Sequence, residues 1–135
     1  MGIAIYPAFN PPVPEAQLGS DGKLLAKHLE TLDQLAEVAG VSPLSSFMDQ
    51  REPLTAEEYE DIVDIDEFMA SWDEWFAASE GRRTVKGILS VLREPSSQVC
   101  LTGDAVYLPR QLEKLLRCLR LAEERGAQFR IEVAM

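Results

Sequence analysis

The sequence Phe129-Arg130-Ile131-Glu132-Val133, close to the end of the 135-residue chain, alternates large apolar side chains with charged ones. Such alternation is typical of a β-strand that buries one face. A single strand leaves its backbone donors and acceptors without partners, so a second strand is required. The run Gly2-Ile3-Ala4-Ile5-Tyr6 predicts that second strand, and the four prolines in residues 7–14 predict an extended loop after it. We therefore expect the two ends of the sequence to pair in one small sheet.

Three segments between these strands carry apolar residues at helical spacing, at residues 22–39, 79–93 and 109–125. Each is followed by a residue that ends helices, namely Gly40, Pro95 and Gly126. We also expect one helical turn at 45–48. Together the patterns predict an α+β fold, a helix-rich single domain over residues 1–135 with its helices packed on the terminal sheet.

The segment between the first two helices is less regular in sequence. Thr55 and Glu58 form a capping-box pattern that predicts a short helix over 55–63. Residues 64–76 are consistent either with a second short helix or with an irregular segment packed by its aromatic residues. In a helix, Trp72, Trp75 and Phe76 would share one face. Residues 99–101 are consistent with a further short strand.

Charge is distributed unevenly along the chain. The formal net charge is −10, and residues 49–80 hold twelve acidic residues against one basic residue, Arg51. The remainder of the chain is almost neutral. An acidic surface repels nucleic acid and anionic membranes, so we expect neither as a partner. A basic protein is the partner that this charge favours.

The residue types needed for catalysis or metal binding do not occur in a recognisable pattern. His28 is the only histidine, and we interpret it as a packing residue at a helix edge rather than a catalytic base. One histidine and two cysteines, Cys100 and Cys118, do not match any zinc-ligand spacing. Asp64 could begin a calcium loop, but Trp75 then occupies the position that requires glutamate. We expect no catalytic residue, no metal and no cofactor.

We call residues 49–80 the acidic segment. Its most distinctive local feature is a cluster of aromatic residues interleaved with acidic ones. Exposed carboxylates around tryptophan side chains are typical of surfaces that bind basic proteins. The predicted partner-binding residues are Glu57, Glu58, Glu60, Asp61, Asp64, Asp66, Trp72, Asp73 and Trp75. The aromatic residues could instead complete the core, since tryptophan is highly buried on average.

Three functions are compatible with these observations. The favoured one is a non-enzymatic binding or regulatory protein that engages a basic partner, for example an immunity-type inhibitor of a basic toxin. The second is a small enzyme or enzyme subunit that uses carboxylates with a divalent cation. The third is a small-ligand module with a pocket beside Trp72 and Trp75. The sequence does not set the oligomeric state.

Two strings of sequence resemble small bacterial proteins of unknown function. They are Trp75-Phe76-Ala77-Ala78-Ser79-Glu80-Gly81-Arg82-Arg83-Thr84-Val85 and Gly126-Ala127-Gln128-Phe129-Arg130-Ile131. In those proteins an acidic Trp/Phe segment leads into a helix and the chain ends on a strand. The resemblance covers about the last half of the chain, implies the same fold as the periodicities, and implies no catalytic residue.

Two further expectations concern the compartment. The first apolar run stops at Pro7 and is too short for a signal peptide or a membrane span. Cys100 and Cys118 both lie among apolar residues, and we interpret them as reduced thiols. Both observations predict a cytoplasmic protein.

Overall fold

A three-stranded antiparallel sheet joins the two ends of the chain. The structure, a computed structural model, describes residues 3–18, 22–49, 72–94 and 103–134. Strand β1 (Ala4–Asn10) pairs along its whole length with β3 (Gln128–Ala134), and the short β2 (Phe76–Ala77) pairs with the start of β3. The predicted pairing of the two ends is confirmed, and the fold is α+β as expected.

Strand β1 is longer than predicted, because it continues through Pro7 to Asn10 instead of ending at Tyr6. The strand order β1-β3-β2 places β1 at an edge of the sheet. Proline has no N–H to donate, and an edge strand tolerates it where the missing donor would face away from the sheet. Pro7 is buried on the same face as Ile5, so its ring adds to the core.

The described residues form four helices, of which the first, third and fourth contact the sheet and the second packs on the third. They are α1 (Gly22–Lys27), α2 (Leu29–Ala39), α3 (Ala78–Arg93) and α4 (Leu108–Glu124). Single 3-10 turns lie at Leu44–Phe47 and Gly103–Tyr107, the first of them close to the turn predicted at 45–48. The two predicted helices at 79–93 and 109–125 are confirmed to within one residue at each end.

The helix predicted over 22–39 is interrupted at His28, and the single-helix prediction is wrong there. His28 has φ −107° and ψ 20°, outside the helical range, while its neighbours on both sides are helical. Backbone hydrogen bonding continues across the break, because the His28 N–H donates to the Leu24 carbonyl at 3.2 Å and the Leu32 N–H donates to the His28 carbonyl at 2.9 Å. The helix ends at Gly40, whose φ of 74° is readily adopted only by glycine.

The core is centred on Phe129, which is 1% exposed. Its ring centroid lies 5.0 Å from that of Phe47 and 6.3 Å from that of Phe76. Gly81 on α3 allows this packing, since a Cβ at that position would lie 2.4 Å from the Phe129 ring. The inward stripes of α2, α3 and α4 complete the core with buried residues that include Leu32, Leu35, Val85, Ile88, Leu112, Leu115 and Leu119.

Several predictions lie outside the described residues. They are the helix over 55–63, the strand at 99–101, and the structure of 64–71. Within the described residues, no helix has the length and apolar character that crossing a membrane requires.

Candidate functional site

Arg130 organises the face of the sheet that points away from the helices. Its neighbours Phe129 and Ile131 are buried in the core, so the alternation of β3 directs Arg130 to the opposite face. The guanidinium carbon lies 4.5 Å from the Trp72 ring centroid and 4.2 Å from the Trp75 ring centroid. Nη1 also donates a hydrogen bond of 2.5 Å to the Trp72 carbonyl. The two tryptophans therefore lie against one cation, an arrangement that we call the Trp–Arg stack.

A carboxylate and a phenol extend this network along the sheet. Arg130 Nε donates to Glu132 Oε2 at 3.2 Å, and the Tyr6 hydroxyl lies 3.5 Å from Glu132 Oε1. Tyr6 and Glu132 are directly opposite each other in the β1–β3 register. Partial burial, and then the negative charge of Glu132, raise the pKa of the Tyr6 hydroxyl. The network therefore fixes the residues that precede β2 to the outer face of β3.

This part of the acidic segment is not helical. Residues 72–75 have no regular secondary structure and run directly into β2, so the irregular alternative is the one found there. A helix would have placed both tryptophans on one face, whereas here both rings contact the single side chain of Arg130. That contact is available only because β3 lies beside the segment.

Three of the nine predicted partner-binding residues are described. Trp72 and Trp75 are half-buried, and Asp73 is exposed between them together with Glu74. The structure brings these residues together beside β3, and part of the surface of each tryptophan is taken by Arg130. The remaining predicted residues, Glu57, Glu58, Glu60, Asp61, Asp64 and Asp66, lie outside the described residues.

A second acidic surface, which the sequence analysis missed, lies on α2. An open groove of about 630 Å³ runs between α2 and the chain at 41–45. Its carboxylates are Glu30, Asp33 and Glu37, and its apolar walls include Leu29, Val41 and Pro43. We call it the α2 groove. The signal was present in the sequence, because acids at positions i, i+3 and i+7 of a helix share one face.

One wall of the α2 groove is held in place by Asp33. Its Oδ1 accepts a hydrogen bond of 3.2 Å from the backbone N–H of Ser45, at the start of the 3-10 turn. The 3-10 turn in turn places Phe47 in the core against Phe129. The groove is therefore supported by the same packing that supports the sheet.

His28 contacts a carboxylate that no sequence pattern linked to it. His28 Nε2 lies 3.1 Å from Asp104 Oδ1, and Lys27 Nζ donates to Asp104 Oδ2 at 2.6 Å. The hydrogen bond from Lys27, and then that from His28, hold the pKa of Asp104 below its usual range. Because both oxygens of Asp104 are engaged, the cluster ties the α1–α2 junction to the 3-10 turn before α4.

The thiol of Cys118 is free and buried on the inner side of α4. Burial raises its pKa, which makes the reactive thiolate scarce at neutral pH.

Among the residues that the structure describes, no three His, Cys, Asp or Glu side chains are grouped to hold a metal ion. No protein-family model, no curated protein and no solved structure matches this chain.

Proposed function

We propose that this protein is a non-enzymatic binding protein that engages a positively charged protein partner through its acidic surface. The observation that carries the proposal is the α2 groove, in which Glu30, Asp33 and Glu37 stand beside apolar walls. Lysine and arginine side chains combine an aliphatic stem with a charged head. Such a side chain would lie along Leu29 and Val41 with its head among the carboxylates.

Two described parts of the acidic segment carry further carboxylates outside the α2 groove. Asp49, the first residue of the segment, follows Ser45 in the wall of the groove closely in sequence. Asp73 and Glu74 are exposed beside the Trp–Arg stack. Acidic surfaces of this kind act mainly by steering a basic partner during encounter. The free thiol of Cys118 supports a reducing compartment, and we place the protein in the cytoplasm.

The experiment compares neutralising substitutions inside the α2 groove with one outside it. Glu37→Gln removes a carboxylate from the α2 groove, and the double variant Glu30→Gln/Glu37→Gln removes two. Glu124→Gln is the matched control, since Glu124 is an exposed acid at the end of α4. Wild type and variants are used as baits in native lysate, and the recovered proteins are identified by mass spectrometry.

We expect Glu124→Gln to recover a basic protein as well as wild type does. Glu37→Gln, which changes the charge by the same amount, should recover less of it, and the double variant least. With that protein purified, association should slow more than release accelerates. It should also slow with added salt, because the Debye length falls from about 10 Å at 0.1 M to about 3 Å at 1 M. Equal recovery by all baits, or recovery by none, would refute the proposal. Loss of a captured enzyme's activity in the complex would identify the inhibitor form of the function.

A further inference from the structure

Helices α3 and α4 run antiparallel and are joined at both ends by ion pairs. At one end Arg82 Nη2 donates to Glu123 Oε1 at 3.2 Å, and Nε lies 2.7 Å from Oε2. At the other end the guanidinium of Arg93 pairs with the carboxylate of Glu113. A cation on α3 therefore meets an anion on α4 at each of these two positions.

The position between them breaks this pattern. One turn from Arg82 along α3 is Lys86, and about one turn back from Glu123 along α4 is Arg120. Both line one open groove of about 540 Å³ between the helices. Between the two ion pairs, therefore, α3 and α4 each contribute a cation instead of a cation and an anion. Like charges held near each other destabilise a folded chain unless they are solvated or meet an anion.

The groove is also lined by a third cation, Arg93, and by one carboxylate, Glu94. Arg93 is already paired with Glu113, and Glu94 lies beyond it at the end of α3. Neither Lys86 nor Arg120 forms an ion pair with a residue in the described ranges. Both side chains are exposed, so an anion in solvent can reach them.

The floor of the groove has a different character. Leu89 and Leu116 are buried beneath the two cations, and Ser90 presents a hydroxyl on the same wall as Lys86. The groove thus offers two cations, one hydroxyl and an apolar surface. Its volume is in the range of small-molecule sites, which combine apolar walls with a few convergent polar groups.

We propose that this groove binds a small organic phosphate. Lys86 and the guanidinium of Arg120 hold the phosphate oxygens, and Ser90 donates one further hydrogen bond. Guanidinium matches phosphate geometry with two parallel donors, and lysine adds a compact positive charge. Leu89 and Leu116 contact the organic part. The chain's net charge of −10 disfavours a long polyanion such as nucleic acid, so the ligand is small.

The test measures binding of inorganic pyrophosphate by calorimetry and by the rise in Tm, with ionic strength held constant by sodium chloride. Citrate, which carries several carboxylates, is the second probe and distinguishes a phosphate site from a general anion site. Lys86→Gln and Arg120→Gln remove each positive charge. Arg110→Gln is the matched control, because Arg110 is an exposed arginine on the same helix outside the groove.

We expect pyrophosphate to bind wild type and Arg110→Gln alike and to raise the Tm of both. Each groove substitution should weaken binding by about ten-fold or more, the effect of removing one hydrogen bond to a charged group. Without ligand, the groove variants should be at least as stable as wild type, which excludes misfolding as the cause. No binding to wild type, equal binding to Arg120→Gln and Arg110→Gln, or binding of citrate at least as tight as that of pyrophosphate would each overturn the proposal.

Discussion

Replacing Arg130 with methionine should destabilise the protein by about 3–5 kcal/mol. Methionine keeps the unbranched stem but removes every polar contact of the Trp–Arg stack. The hydrogen bond from the charged Nη1 to the Trp72 carbonyl is worth about 1.5–3 kcal/mol. Each ring contact with Trp72 or Trp75 adds about 0.5–1 kcal/mol. The pair with Glu132 adds at most about 1 kcal/mol, since Glu132 is partly exposed.

The assay follows from the composition of the chain. Only two tryptophans are present, and both contact Arg130, so intrinsic fluorescence reports on this one place. Equilibrium unfolding in urea is followed by fluorescence and by far-ultraviolet circular dichroism. In Arg130→Met the emission should shift to the red before unfolding, because the rings become more exposed, and the free energy of unfolding should fall.

Two further variants make this prediction refutable. Arg130→Lys keeps the charge but loses the planar donor group, so its stability should lie between wild type and Arg130→Met. Arg83→Met removes an exposed arginine from α3 and should change stability by less than about 0.5 kcal/mol. A loss below about 1 kcal/mol in Arg130→Met, or an unchanged emission maximum, would show that the Trp–Arg stack does not hold the segment.

Two other predictions concern α1 and its junction with α2. Gly22→Ala should destabilise the protein by at least about 2 kcal/mol in chemical denaturation, because the new Cβ would lie 2.0 Å from the Ile5 carbonyl oxygen. This loss should appear even though alanine is more favourable than glycine in a helix by about 1 kcal/mol. A variant as stable as wild type would contradict this close approach. Asp104→Asn should alter the pH dependence of Tm, because Lys27 and then His28 lower the pKa of Asp104 in the folded protein. The ionised carboxylate therefore stabilises the fold at pH values above the ordinary aspartate pKa, and this stabilisation is lost as the pH falls through about 4 and below. The Tm difference between wild type and variant should therefore shrink towards acid pH, and a constant difference would show that the carboxylate charge does not contribute.

The parts of the fold that were predictable are those with a regular period. The alternation at 129–133 and the apolar stripes of α3 and α4 arise because each element buries one face, and this produces a regular spacing of apolar residues in the sequence. Strand β2 was missed because two residues, Phe76 and Ala77, are too few to show a period. The continuation of β1 through Pro7 was missed because it depends on which side of the sheet the strand occupies.

Features that depend on distant residues were not predictable from local patterns. The break at His28 accompanies a contact with Asp104, which is 76 positions away in sequence. The Trp–Arg stack joins Arg130 to a carbonyl 58 positions away. The α2 groove is intermediate: the spacing of Glu30, Asp33 and Glu37 was legible, but the opposite wall depends on how 41–45 packs.

The strand order has a consequence for folding during synthesis. Strand β3 lies in the middle of the sheet but is the last of the three strands to leave the ribosome. Strand β1 cannot pair before then, since Ala4 pairs with Ala134. Until then β1 is an unpaired edge, which is a site of aggregation in nascent chains. Contacts between such distant residues also close slowly, because a long loop must be ordered first. Helices α1, α2 and α3 leave the ribosome well before β3, so pairing of β3 with β1 should be a late step in folding.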